Sequence, residues 1–246
     1  MQKISTQQTF QQAVHGTDPD ILRKIRNVGT NLAVWRHPLS DKLKRYLETL
    51  EPEKMLQTAK ESGTEMYIYH RSEKSYWTGI SNQILDLREN RKSLDQGIKE
   101  LCHLFPGGEG REDLEPGIAR VFEAMASATG SPVISGSLYI FHGASSQGAW
   151  HCDASQYRGC ITLAGRLGTL WLPDEEVQQL EFYEADYARM YRCVQANDNI
   201  QMIPPGDLAV FKGTLADNGR PLVHATPPDW IDKGDRLALV LSNKPV

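Results

Sequence analysis

The sequence predicts an α+β protein in which a mainly helical first half precedes an eight-stranded jelly roll or sandwich. Three observations carry this reading. After Ser131 the chain breaks into short β-rich runs separated by Gly, Pro and Asp. Before residue 130, apolar residues recur at helical spacing between capping and stop signals. With 246 residues, 40% of them hydrophobic and 24% charged, the chain is long enough to bury a sizeable core. The expected division is 1–130, helical and packed on the core, and 131–246, the β core with an insertion at 174–198, together forming one compact unit.

In the first half, Ser40 is placed to cap a helix through KLKRYLETL, and Pro52 suits the first turn of EKMLQTAKESG, which stops at Gly63. Ile84, Leu85, Leu87, Leu94, Ile98, Leu101 and Leu104 predict a long helix from Asn82 to Phe105, ended by Pro106-Gly107-Gly108. A further helix spans Asp113–Thr129 and ends at Gly130. The expected strands are Ser135–His142, Ala149–Asp153, Arg158–Leu163, Thr169–Pro173, Asn199–Ile203, Asp207–Lys212, Leu222–Ala225 and Arg236–Asn243. Between the fourth and fifth, Asp174–Asp198 is acidic, contains Tyr183, Tyr187 and Tyr191, and is patterned like a helix. Long connections with structure of their own often serve as lids.

The net charge of −4 offers no footprint for a nucleic-acid partner. The opening MQKISTQQTFQQAVHG lacks the apolar core of a signal peptide, and no run approaches the roughly 18 apolar residues of a membrane span. The expected setting is the cytoplasm, with no membrane partner. Cys102, Cys152, Cys160 and Cys193 form no C-x-x-C pair and are expected to be free thiols.

The chemistry-bearing signal is Trp150-His151-Cys152-Asp153. On a strand His151 and Asp153 share a face while Cys152 points away. A lone H-x-D is weak, since chance produces such tripeptides readily. It gains meaning from His224, placed in the seventh β run before Thr226-Pro227-Pro228-Asp229. Two histidines and a carboxylate make the facial triad that holds Fe(II) and leaves positions open for a co-substrate and dioxygen. Twelve residues on, Arg236 opens the apolar run RLALVLSN. An arginine opening a buried strand needs an anion, and its fork suits a carboxylate; a surface ion pair with Asp235 or Asp232 is the alternative.

The ordered set His151-x-Asp153, Pro205-Gly206-Asp207-Leu-Ala-Val-Phe, His224 and Arg236 resembles the Fe(II)/2-oxoglutarate-dependent dioxygenases with a double-stranded β-helix core, over residues 132–246. More narrowly, Asn31-Leu-Ala-Val-Trp35-Arg36 and Gly168-Thr-Leu-Trp171-Leu-Pro173 are similar to passages of an uncharacterised, mainly bacterial family of this length. The resemblance implies that His151, Asp153 and His224 bind iron, that Arg236 grips the distal carboxylate of 2-oxoglutarate, and that Tyr139 hydrogen-bonds the same co-substrate. Decarboxylation to succinate and carbon dioxide would accompany oxidation of an unactivated carbon. In related halogenases the Asp position is Gly or Ala, so Asp153 argues against halogenation.

His142, Arg158 and Trp171 are further candidates for holding a substrate, polar or anionic for the first two, while Trp150 and Trp171 read first as core or wall packing. Cys102-His103 has no partner at metal-ligand spacing and reads as a buried thiol beside a solvated histidine. His70-Arg71 is a candidate for the cavity mouth, and Gly107–Gly110 lacks the lysine of a phosphate loop and reads as a turn. Two function classes follow. The first is an oxygenase of a small-molecule substrate such as an amino acid or related carboxylate, by hydroxylation, desaturation or ring closure. The second is a non-oxidative cupin-like metal-binding protein, either a zinc-handling accessory factor or a metal-dependent isomerase, which has no requirement for Arg236.

Overall fold

A computed structural model of the protein describes residues 12–64, 66–71, 74–142, 150–174, 177, 180–185, 188–193, 199–227 and 234–243, with backbone alone for 67–71, 74–77, 180–185 and 188–193. In chain order the strands are β1 (Ala13–Gly16), β2 (Leu32–Trp35), β3 (Tyr67–Arg71), β4 (Lys74–Asp86), β5 (Val133–Phe141), β6 (His151–Cys152), β7 (Tyr157–Ala164), β8 (Leu170–Trp171), β9 (Leu180–Ala185), β10 (Ala188–Cys193), β11 (Gln201–Met202), β12 (Leu208–Lys212), β13 (His224–Ala225) and β14 (Arg236–Asn243). The α-helices are α1 (Asp41–Glu48), α2 (Pro52–Glu61), α3 (Arg91–Cys102) and α4 (Leu114–Thr129).

The large sheet runs β1-β2-β12-β7-β14-β5-β4-β3 and the small one β11-β8-β13-β6-β10-β9. From β5 onward the chain crosses from one sheet to the other and back, and the central strands β12-β7-β14-β5 face β11-β8-β13-β6. This path is a double-stranded β-helix, and the fold class is the expected one: α+β, jelly-roll core, helices on the outside. Strand alternation divides the large sheet's side chains between two layers. Leu237, Leu239 and Leu241 of β14 face outward into the core shared with the helices, together with Ile161, Val210 and Leu138. On the inner face Ala209 and Phe211 of β12 join Leu32 and Val34 of β2 between the sheets.

The helices form where local signals place them. The Ser40 side chain accepts from the Leu43 amide at the start of α1, a cap that contributes about 1 kcal/mol, and Pro52 opens α2. Helix α4 buries Leu114, Ile118, Val121, Phe122 and Met125 along one stripe and ends at Gly130 in the left-handed region. It lies close on the sheet because Gly136 has no side chain: a Cβ there would stand 2.2 Å from Phe122 Cζ.

Three expectations are corrected. The mainly helical first half also supplies strands the sequence reading did not place, since β1–β4 flank the barrel strands on both sides of the large sheet. The helix expected over Asn82–Phe105 is instead the end of β4, a turn, and α3. Strand β4 is held by β5 in register from Trp77↔Phe141 to Asp86↔Val133, and Asn90 starts the helix by accepting from the Ser93 amide. Non-local sheet hydrogen bonds therefore override a periodicity that Ile84 and Leu85 supply equally to a strand, where Leu85 is buried and Ile84 exposed. Within 174–198 the backbone forms the antiparallel pair β9–β10 rather than a helix, and β10 extends the small sheet beside β6, with Arg192 opposite His151.

Among the described residues no helix is long and apolar enough to cross a membrane. Among the described residues Cys102, Cys152 and Cys160 form no disulfide with one another. Cys102 is buried, which pushes its thiol up to about 12, and the neighbouring His103 bonds the Glu100 carbonyl at the surface. His70 and Arg71 lie at the end of β3, the outermost strand of the large sheet.

Candidate metal centre

Strand β6 is two residues long, and its alternation sets the site. Cys152 turns away and is fully buried beside Leu172 and Val223, while His151 and the following Asp153 face the space between the sheets. Strand β13 pairs with β6 so that His224 stands opposite His151. Cross-strand neighbours meet, and the two imidazole centroids are 4.4 Å apart. One ligand atom each of His151, Asp153 and His224 lies within 4.8 Å of the others. His151 Nε2 is 3.8 Å from Asp153 Oδ1, and His224 Nε2 is 3.6 Å from Asp153 Oδ2.

Protonation follows from the hydrogen bonds. His224 Nδ1 lies 3.2 Å from the Leu222 carbonyl. A carbonyl only accepts, so Nδ1 carries the proton and Nε2 the lone pair. Burial, reinforced by the neighbouring His151, pushes the His224 imidazolium down to about 4, so the ring is neutral at neutral pH. Burial pushes the Asp153 carboxyl up, but the Arg158 guanidinium beside it outweighs this and holds the group below the usual carboxylate range. Asp153 is therefore ionised. A lone pair on His224 Nε2 thus faces a carboxylate oxygen with no proton between them, an arrangement that a cation turns from repulsive to attractive. Two imidazoles and one carboxylate fit a divalent first-row metal, and the Phe211 ring packs against the distal imidazole with centroids 4.6 Å apart.

The centre opens on a cavity of about 190 Å³ between the sheets, lined beyond the triad by Tyr139, Phe141, Arg158, Cys160 and Val240 among others. Tyr139 and Arg158 thus stand where the sequence places candidates. Arg158 Nε donates to Asp153 Oδ2 at 2.8 Å. Arg236 is buried on the same face of β14 as Val240 but does not line the cavity. Its Nη1 donates to the Gly168 carbonyl at 3.1 Å and its guanidinium lies 5.3 Å from the Phe141 ring centroid. Gly168 lies so close to the chain after β11 that a Cβ there would fall 1.7 Å from the Ile203 carbonyl oxygen.

Arg236 is not paired with Asp235, which accepts from His142 Nδ1 at 2.9 Å; Asp232 lies outside the described residues. The other ring nitrogen of His142 meets Thr78 Oγ1 at 3.0 Å, so His142 points away from the cavity. Trp171 packs with Leu32, Val34 and Leu222 in the wall between the sheets. Sequence reasoning passed over Phe211 and Cys160. The available signal was strand alternation, which puts Phe211 on the inner face with Ala209, and Cys160 there with Arg158.

Two sheets joined by this strand path, with an H-x-D and a distal histidine converging between them, define a double-stranded β-helix protein with a candidate metal centre. The sequence profile of a protein family of unknown function, DUF1826, matches residues 16–242, and the chain belongs to that family. The fold is similar to that of a dioxygenase for auxin oxidation in rice, with a TM-score of 0.53 at 8% identity over 94% of this chain and 82% of that one. Looser likenesses are a Pseudomonas putida prolyl-4-hydroxylase (TM-score 0.42, 12% identity, 92% of this chain and 97% of that one) and EctD from S. alaskensis (0.43, 11%, 87% and 72%). No curated protein matches the chain in sequence.

Proposed function

We propose that the protein is a cytoplasmic Fe(II)- and 2-oxoglutarate-dependent oxygenase that oxidises an unactivated C–H bond of a small molecule. The observation that carries this reading is the convergence of His151, Asp153 and His224 at the wall of a cavity between the sheets. Iron bound there would supply a centre at which co-substrate and dioxygen meet.

The chain's own residues have distinct tasks. The Leu222 carbonyl fixes the His224 tautomer, and Arg158 orients the Asp153 carboxylate through Oδ2, leaving Oδ1 directed at His151. Arg236 is held by the Gly168 carbonyl against Phe141, which lines the cavity, and is the cation assigned to the distal carboxylate of 2-oxoglutarate once the co-substrate reaches past that ring. Phe141, Phe211 and Val240 exclude water from the remaining volume.

Anaerobic addition of Fe(II) and then 2-oxoglutarate tests this. A weak visible charge-transfer band is expected in the wild type and absent in His151→Ala and His224→Ala, with circular dichroism unchanged. No band at saturating concentrations in the wild type counts against the assignment.

A further inference from the structure

We propose that Arg158 is a second carboxylate-binding subsite of this cavity, separate from Arg236, so that the ligand beside the metal centre is itself an anion. The inference rests on the oxygenase reading and extends it to the chemical class of what the cavity holds.

Arg158 occupies the middle of the large sheet, opposite Phe211 of β12 and Ser242 of β14, so its backbone is rigidly placed. Strand alternation turns its side chain inward, and 27% of its surface remains accessible where it lines the cavity. Its Nε is committed to Asp153. Among the described residues Nη1 and Nη2 donate to no protein atom, although a guanidinium carries five N–H donors. Donors that no protein atom accepts are open to an acceptor entering the cavity. None of the described lining residues besides Asp153 is acidic. A divalent ion at the triad leaves the cavity net positive, because Asp153 alone offsets it and Arg158. The remaining edge of the guanidinium has the planar, two-donor shape that receives a carboxylate. Arg236 cannot be the same subsite, since its Nη1 is directed at Gly168 behind Phe141.

Two ligands could present this carboxylate: the compound oxidised, or the keto-acid end of 2-oxoglutarate. Propionate and propionamide are the probes, followed by ligand-observed NMR on Zn(II)-loaded protein with and without saturating 2-oxoglutarate, and on metal-free protein. Propionate is expected to bind the wild type alongside 2-oxoglutarate while propionamide does not. Arg158→Gln should weaken propionate at least tenfold and 2-oxoglutarate less than threefold, with Arg158→Lys intermediate. If propionate instead competes with 2-oxoglutarate and Arg158→Gln weakens both at least tenfold, the subsite stands and its carboxylate is the co-substrate's. Equal propionate binding by wild type and Arg158→Gln, or none by the wild type in any state, overturns the proposal. Failure of Zn(II) to bind the wild type would refute the metal reading alone, because the metal-free titration still reads Arg158.

Discussion

Arg158 Nε and Asp153 Oδ2 form a 2.8 Å ion pair inside the barrel, five residues apart in the chain and joined across the turn from β6 to β7. The pair couples the candidate metal ligand to the fold. Asp153→Ala should therefore do more than remove a ligand, because it strands the Arg158 charge. Breaking one side of a buried pair costs on the order of 3–5 kcal/mol. Urea unfolding of the metal-free variant should show most of that loss, whereas His151→Ala should cost much less. Equal midpoints for wild type and Asp153→Ala would show that the pair contributes nothing.

Arg236→Leu should lower 2-oxoglutarate affinity by roughly two to three orders of magnitude, from about 3–5 kcal/mol for a stranded carboxylate at about 1.4 kcal/mol per tenfold. Metal affinity should change little, since Arg236 is not among the converging ligands. Arg236→Lys should recover only part of the loss. Co-substrate titration of the iron-loaded variants measures both effects, and an unaltered affinity would remove Arg236 from the site.

Lys212 is fully buried with its Nζ on the carbonyls of Asn27 at 2.8 Å and Asn218 at 2.7 Å. Burial pushes its ammonium down from 10.5 to about 8. Between those values the unfolded chain holds a proton that the folded chain releases, so stability should rise with pH across this window, by at most about 1.4 kcal/mol per pH unit. Below pH 8 both states are protonated and the slope vanishes. Urea midpoints from pH 7 to 10 should show this rise in the wild type relative to Lys212→Met; parallel profiles would contradict it.

Strand β10 pairs with β6 at His151 itself. We expect 174–198 to act as a lid or substrate-contacting insertion, and the pairing adds a second consequence. Replacing 178–198 by a short linker should abolish substrate-dependent turnover and also weaken metal binding several-fold, because β6 loses a neighbour on one side. Metal titration with retained circular dichroism measures this. Full turnover after the deletion would exclude the lid.

What the sequence by itself determined is what short-range rules govern. The cap at Ser40, Pro52 at a helix start and Gly130 at a helix end act within a turn of the backbone, and the first two helices and α4 follow from them, as do the eight barrel strands from their texture. Alternation likewise made His151 and Asp153 partners, and spacing pointed to His224 and Arg236. What only the tertiary structure decided rests on hydrogen bonds between distant segments. Strand β4 is a strand because β5 pairs with it, against a helical reading of Ile84 to Leu87. Residues within 174–198 pair as β9 and β10 beside β6, where their own periodicity suggested a helix. Arg158, a candidate for holding an anionic substrate, also bonds Asp153 through Nε, a partner that its place in the sequence did not reveal, and His142 bonds Asp235 and Thr78 instead of lining the cavity. Each is a choice between partners of similar chemistry, and position in three dimensions settles it because a buried donor bonds the acceptor that lies within about 3 Å.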